Sequence, residues 1–438
     1  MRIASLYSGC GGLDFGFHES GNEVVYACDN EPAAVKCFNH NYGNDIAVIR
    51  DVESPEFEND LENLEDIGLV LGGFPCQGFS KSGPKKKDDS RNKLYLGMVK
   101  AVRVLQPRFF VAENVDGMAQ NYKGELLNTI YSDFEALGYH VKYNILNAVN
   151  YGVPQYRRRV LFVGFREIED YENFEWPSPT HQGGSRNGEF KLKNETDLFR
   201  LSELPEALTI SDSLHDLLES DYGTNDHVWG NFPERQEKII RHIGEGQKLC
   251  NVRFSSTSVY TWQIPEVFGT VTEREIILLE TIGKNRRKKV YGSIPNGNPL
   301  SIETVNELSE LNFTKAEFDS LVEKGYLKIK SEVKYDLKGA MFCSGLYKRP
   351  NWNEPSPTVI TVFDSPRYFV HPIEDRPFSI RECARLQSFP DEFEFLPSGV
   401  SIKEAYKLIG NAVPVGLSRA IAGAIERVST RNTVQHVA

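Results

Sequence analysis

At 438 residues, 40% hydrophobic and 25% charged, the chain has ordinary globular composition and length for two or three domains. It holds no run of about 18 apolar residues, and its N-terminus enters a strand-like segment without a signal peptide's apolar core, so no membrane association is expected. A net charge of −11 does not advertise a nucleic-acid binder, and seven cysteines without a C-x-x-C pair point to neither a disulfide framework nor a zinc site.

The expected compartment is therefore a reducing cytoplasm, in which a single thiol can be reactive. Charge is uneven along the chain. Residues 81–108 hold nine Lys/Arg against Asp88 and Asp89, and a second basic run is Arg286-Arg287-Lys288-Lys289. Each reads alternatively as a solvated loop.

Residues 1–165 alternate strands with helices. Arg2–Tyr7 is a strand ending in Ser8-Gly9-Cys10-Gly11-Gly12, and a helical stretch with Leu13, Phe15, Gly16 and Phe17 follows. Glu23–Cys28 stops at Asp29-Asn30, Gly68–Leu71 runs into Gly72-Gly73-Phe74-Pro75-Cys76, and Arg108–Ala112 ends at Glu113-Asn114. Val141–Leu146 and Arg159–Phe165 read as a late antiparallel pair. Strand, polar loop and helix in repetition predict a doubly wound, Rossmann-like α/β sheet, with ligands beyond the carboxyl ends of its strands.

The character changes near residue 170. The expected layout is a catalytic and cofactor-binding domain over 1–177, a second domain over 178–370, and a C-terminal return over 371–438. Within the second domain, 266–338 reads as three short helices and a β-ribbon. The helices cover Thr272–Ile282 ending at Gly283, Ser301–Leu308, and a stretch opened by the capping box Thr314-Lys315-Ala316-Glu317. The ribbon strand alternates Leu327, Ile329, Val333 and Tyr335 with charged residues. This insert resembles a winged helix, either an extra DNA contact or a structural or protein-contact module. The last helix is expected from Val415 to about Arg427, with a frayed tail.

Cys76 follows a strand and precedes a Gly/Ser/Lys loop. It reads either as a buried structural thiol or as a nucleophile whose basic flank favours the thiolate. Glu113 supplies a carboxylate at another strand end. The Ser8–Gly12 loop lets backbone approach a ligand, and Asp29 can take ribose hydroxyls, so a nucleoside cofactor is favoured with its identity open. The arginines of Gln155-Tyr156-Arg157-Arg158-Arg159 can hold a phosphate or carbonyl, or form a surface cluster.

Taken together and in order, these segments resemble the cytosine-5 DNA methyltransferases, in particular the prokaryotic and phage restriction-modification type. The matches are Leu6–Gly12, Gly73-Phe74-Pro75-Cys76-Gln77, Glu113-Asn114-Val115, Gln155-x-Arg157-x-Arg159, Arg381–Gln387 and Gly410–Pro414. Ser5 departs from the pattern, where the family often has Asp. The resemblance implies an S-adenosyl-L-methionine-dependent enzyme that methylates carbon 5 of a flipped cytosine in double-stranded DNA, with Cys76, Glu113, Arg157 and Arg159 catalytic. It implies a cofactor site of Tyr7, Ser8, Gly9, Gly11, Gly12, Asp29, Asn30, Asp51, Val52, Pro75, Leu94, Asn411 and Ala412. It implies DNA contacts from Gln77, Ser80, Lys81 and Arg91, and a closing segment over 81–98 hinged at Gly83 and Gly97. It makes 178–370 the target-recognition domain, makes a cognate restriction endonuclease the genetic partner, and calls for no metal; a monomer is the default. A tRNA-acting branch of the family carries Cys-Phe-Thr in its second domain. This chain has Met341-Phe342-Cys343-Ser344 there, which favours DNA.

Overall fold

The computed structural model describes residues 1–43, 45–75, 94–120, 125–183, 203–218, 225–295, 297–338 and 345–435. Two compact units emerge. One comprises Met1–Val228, Asn353–Val362 and Ser379–Ala438, the other Trp229–Trp352 and Phe363–Phe378.

The first unit is built on a seven-stranded sheet. Its strands are β1 (Arg2–Leu6), β2 (Glu23–Asp29), β3 (Ala47–Ile49), β4 (Ile67–Gly72), β5 (Phe109–Val115), β6 (His140–Asn147) and β7 (Arg158–Phe165), in the order β3-β2-β1-β4-β5-β7-β6. The first five are parallel, and β7 runs antiparallel between β5 and β6. The central strands are apolar throughout because both faces are covered. Alternate residues feed opposite cores: Phe109 and Val111 point to one, Phe110 and Ala112 to the other.

The longer helices that join these strands are α1 (Gly12–Glu19), α2 (Pro32–Tyr42), α3 (Pro55–Glu62), α4 (Tyr95–Leu105) and α5 (Glu125–Glu135). Apolar residues of α3, α4 and α5 fill the core on one face, and those of α1 and α2 the core on the other. The α/β class and the antiparallel pair are as the sequence predicts. One boundary differs in a way that matters for chemistry. β5 does not stop at Ala112 but continues to Val115, because β7 extends the ladder with Glu113 opposite Leu161 and Val115 opposite Arg159. The parallel pairing with β4 does end at Gly72–Ala112, so Glu113 still lies just past the parallel edge.

The second unit contains its own core of Tyr260, Trp262, Leu278, Leu279, Ile282, Phe318, Leu327, Tyr335 and neighbours. Around it run α6 (Glu273–Asn285), β8 (Leu300–Ser301), α7 (Ile302–Ser309), α8 (Lys315–Glu323), β9 (Leu327–Ser331) and β10 (Lys334–Leu337), with strand order β8-β10-β9. The α8 capping box is present, the Thr314 N–H donating to Glu317 at 2.7 Å. Helix α6 passes through Gly283, where the sequence predicts its end. Its last turn is held by the Lys284–Glu280 pair and by Arg286, which reaches Asp336 of β10.

The chain closes in the first unit with α9 (Ile380–Leu386), α10 (Ile402–Asn411) and α11 (Val415–Gln435). α11 packs on α1, its Leu417, Ile421 and Ile425 joining the core of Leu13 and Phe17. A Cβ at Gly16 would lie 2.3 Å from the Arg419 nitrogen, so only glycine allows that crossing. The helix runs beyond the expected Arg427 because Val428 is also buried there. No single helix among the described residues is long and apolar enough to cross a membrane.

Candidate active site

Glu113 is the buried carboxylate at the centre of the site. Arg159 Nε donates to its Oε1 at 2.6 Å, and both side chains are almost wholly withdrawn from solvent. Burial pushes the Glu113 carboxyl above the usual carboxylate range, with the charges of Arg159 and Arg157 opposing that rise. Its other oxygen faces Gly73: a Cβ there would lie 3.2 Å from Oε2.

Asn114, the next residue, points the opposite way along the strand and donates from Nδ2 to the Phe74 carbonyl at 2.9 Å. Asn114 thus bonds to the loop that Glu113 faces. That loop, Gly73-Phe74-Pro75, leads directly into Cys76. Cys76 itself, with Gln77, Ser80, Lys81, Gly83 and Arg91, lies outside the described residues. Sequence reasoning did not give Asn114 this task. The signal available was its adjacency to Glu113 on a strand, where neighbours face opposite sides.

The other expected arginine is placed differently. Arg157 is fully buried, and its guanidinium donates to the carbonyls of Val359 (2.8 Å), Gly410 (2.9 Å) and Ala412 (2.8 Å). Gln155 is likewise internal, bonded to Leu386 and Gln387 and accepting from Val359 N. Of the Gln155-x-Arg157-x-Arg159 motif, only Arg159 reaches the carboxylate. Arg157, expected to be catalytic, and Gln155 bolt distant segments together, Arg157 through three main-chain carbonyls. The physical reason is that Arg157 precedes β7, so it escapes the strict alternation that aims Arg159. The Arg381–Gln387 motif is also internal: Arg381 forms a two-pronged pair with Asp226 at 2.7 and 2.9 Å.

Of the expected cofactor residues, Tyr7 to Gly12 follow β1, Asp29 and Asn30 close β2, Asp51 and Val52 follow β3, Pro75 follows β4, Leu94 precedes α4, and Asn411 and Ala412 lie at the end of α10. Ser8 N donates to Cys28 O at 3.1 Å and Gly11 N to Ser8 O at 2.8 Å, curling the loop so that α1 opens from Gly12. Gly11 adopts φ 92°, and a Cβ there would strike the Tyr42 ring at 2.4 Å, so glycine is required twice over. A Cβ on Gly12 would lie 2.5 Å from Val413 O and 3.1 Å from the Ala412 side chain. Asn411 and Ala412 are therefore brought to the loop from about 400 residues away. Asp29 accepts from Gly9 N at 3.0 Å and Glu31 N at 2.9 Å, so its carboxylate orders the loop through one lone pair on each oxygen.

Tyr7 sits at positive φ (53°) with its hydroxyl donating to Leu94 O, tying the end of β1 to the start of α4. Burial holds its hydroxyl protonated, and Cys28, Asp51, Glu53 and Asp29 add to the effect. Asn30 and Asp51 are exposed, Val52 is buried, and Pro75 is half-buried. Gly97, expected as a hinge, lies inside α4, where a Cβ would stand 2.4 Å from the Tyr7 hydroxyl and 2.9 Å from Val52. It is a close-packing glycine. Gly97→Ala is expected to destabilise the unit by about 1–3 kcal/mol through overpacking, read from the urea midpoint; an unchanged midpoint would show the contact to be soft.

Ser5 also finds a reason here. It is buried, and the neighbouring Asp14 is buried too, its carboxyl pushed up to about 7 by desolvation. An aspartate at position 5 would set a second carboxylate beside it.

The family model for C-5 cytosine-specific DNA methylase matches residues 1–427. The chain belongs to that family. This methylase is 30% identical over 414 residues to the Type II methyltransferase M.NgoFVII of Neisseria gonorrhoeae, covering 94% of this chain and 83% of that one. It is 30% identical over 444 residues to the Type II methyltransferase M.AgeI of Thalassovita gelatinovora, covering 97% and 99%. In fold it is similar to a crystal structure of an E. coli prophage-encoded DNA modification methyltransferase, at a TM-score of 0.53 and 22% identity over 98% and 99% of the two chains.

Proposed function

We propose that this methylase transfers a methyl group from S-adenosyl-L-methionine to carbon 5 of a cytosine extruded from duplex DNA, through a transient bond to Cys76. The observation that carries this reading is the Glu113–Arg159 pair. It is a buried carboxyl with one oxygen held and the other facing the loop that enters Cys76.

Cytosine C5 is too weak a nucleophile to be methylated directly. Cys76, as thiolate, adds to carbon 6 and passes electron density towards carbon 5, splitting one hard step into two. Glu113, whose pKa burial raises, donates a proton to ring nitrogen 3 and offsets the charge that develops there. Arg159 orients Glu113 and holds the base's carbonyl oxygen. Once carbon 5 carries the methyl, loss of its proton to a base expels the thiolate, and ring nitrogen 3 returns its proton to Glu113. The target atom is unreachable in a stacked helix, so the base must be flipped at a cost of about a few kcal/mol.

The pocket suits the cofactor. A curled glycine loop opens helix α1, and the negative charge of Asp29, Asp51 and Glu53 is felt at Tyr7, a setting for ribose hydroxyls and a cationic sulfonium. When bound, the cofactor supplies an electrophilic methyl. Tyr7, Ser8, Gly9, Gly11, Gly12, Asp29, Asn30, Asp51, Val52, Pro75, Leu94, Asn411 and Ala412 would line its site. Gln77, Ser80, Lys81 and Arg91 contact DNA, target recognition falls to the second unit, within 178–370 for the most part, and the protein works as a monomer beside a cognate endonuclease.

Bisulfite sequencing of DNA from expressing cells identifies the target. Duplex carrying 5-fluorocytosine at that target, incubated with cofactor, is then expected to form a denaturant-stable adduct with the protein and none with Cys76→Ala. Methylation at the target without adduct, or an adduct that survives the substitution, would sink the assignment.

A further inference from the structure

The 266–338 insert holds twelve Lys/Arg and twelve Asp/Glu, yet the charges are segregated. Segments 284–289 and 328–338 carry nine basic residues against Glu332 and Asp336. Helices α7 and α8 with their caps carry Glu303, Glu307, Glu310, Glu317, Asp319 and Glu323.

The two basic segments meet at one atom group. Arg286 pairs with Asp336 at 2.7 Å, with both side chains buried, and Lys328 reaches the other Asp336 oxygen at 3.5 Å. Lys328 and Asp336 are directly opposite across the ribbon. Leu327 pairs with Leu337 and Ile329 with Tyr335, and Leu327, Tyr335 and Leu337 are buried, so Lys328 and Asp336 share the opposite face of the ribbon, where Asp336 is itself buried against Arg286. Asp336 is thus neutralised from within. Lys288, Lys289, Lys330 and Lys334 remain exposed and have no ion pair among the described residues. The acidic helices differ: Lys315 is taken up by Asp319, and Lys324 by Glu275.

Helix–strand–helix–helix–strand–strand, with the first strand paired to the last, is winged-helix connectivity. In helix-turn-helix proteins the recognition helix enters the major groove. Here that helix, α8, would bring Glu317, Asp319 and Glu323 against phosphates, which repel them. We propose that the insert grips the phosphate backbone of duplex DNA with its ribbon and the 284–289 segment, and leaves α8 outside the groove. This rests on the reading that the protein acts on duplex DNA, and adds a sequence-independent contact that lies outside the reaction chemistry.

The test is a Lys288→Glu/Lys289→Glu/Lys330→Glu/Lys334→Glu variant of the full chain, compared with the matching Lys→Arg variant. Duplex binding is measured over a salt series, and methyl transfer at saturating DNA. The Glu variant is expected to bind at least about tenfold more weakly at about 0.1 M salt, with the slope of log K against log salt shallower by about three. Its unfolding midpoint and its rate at saturation should stay at wild-type values, and the Arg variant should bind like wild type. An unchanged affinity and slope would overturn the proposal and leave the patch to an acidic protein surface. Binding is read independently of catalysis, so a protein that binds DNA but never methylates it refutes the reaction assigned above and not this contact.

Discussion

Glu113→Gln is expected to lower kcat by about 10²–10⁴ while duplex affinity changes by less than about threefold. The glutamine keeps the shape and can still meet Arg159, but it cannot deliver the same proton to ring nitrogen 3. The pH profile separates this role from a structural one. Burial raises the Glu113 pKa, so the protonated form persists above the usual carboxyl value of about 4.3 and is lost as pH rises through the shifted value. Wild-type kcat should therefore fall on the alkaline side as Glu113 ionises, and on the acid side as Cys76 protonates. The glutamine variant should lack the alkaline fall. Equal alkaline limbs in the two proteins would show that Glu113 does not act as the proton donor.

Arg157→Met is expected to cost about 3–5 kcal/mol of stability, the scale for breaking a buried charged network. Three main-chain carbonyls, of Val359, Gly410 and Ala412, would lose donors in a site closed to water. Lysine should rescue little, since one ammonium cannot reproduce the fork. The carbonyls at 410 and 412 flank Asn411, so the turn that meets Gly12 should loosen. The accompanying sign is a higher KM for S-adenosyl-L-methionine with kcat less affected. Urea unfolding within about 1 kcal/mol of wild type would contradict the bolt.

Much of the site is legible in the sequence because its parts sit at strand ends, where a short polar motif interrupts an apolar run. Ser8–Gly12, Pro75-Cys76 and Glu113-Asn114 all have that form. β3, only three residues long, gives no such signal. Nor does spacing distinguish Arg157 from Arg159. They are two apart and would share a face on an ideal strand, but β7 begins between them and a long-range contact at Ser356 holds the preceding segment. The tasks of Asn114 and Gly97 depend on neighbours 40 and 90 residues away, Phe74 and Tyr7. No local pattern carries that information. The insert's helices are legible from caps and periodicity, while the division of charge across it appears only when Asp336 is seen between Arg286 and Lys328.

The crossing of α1 and α11 at Gly16 has a consequence for how the protein comes into being. β1 and the loop after it can complete their packing only against a helix made some 400 residues later, with Ser418 donating to Leu13 O. At ribosomal speeds of about 5–20 residues per second, that is a wait of roughly 20–80 s, during which the side of α1 that meets α11 has no native cover. A nascent chain of this protein should therefore engage holdase chaperones until α11 emerges. A separately supplied 379–438 peptide should restore a truncated chain more readily when present during refolding than when added afterwards.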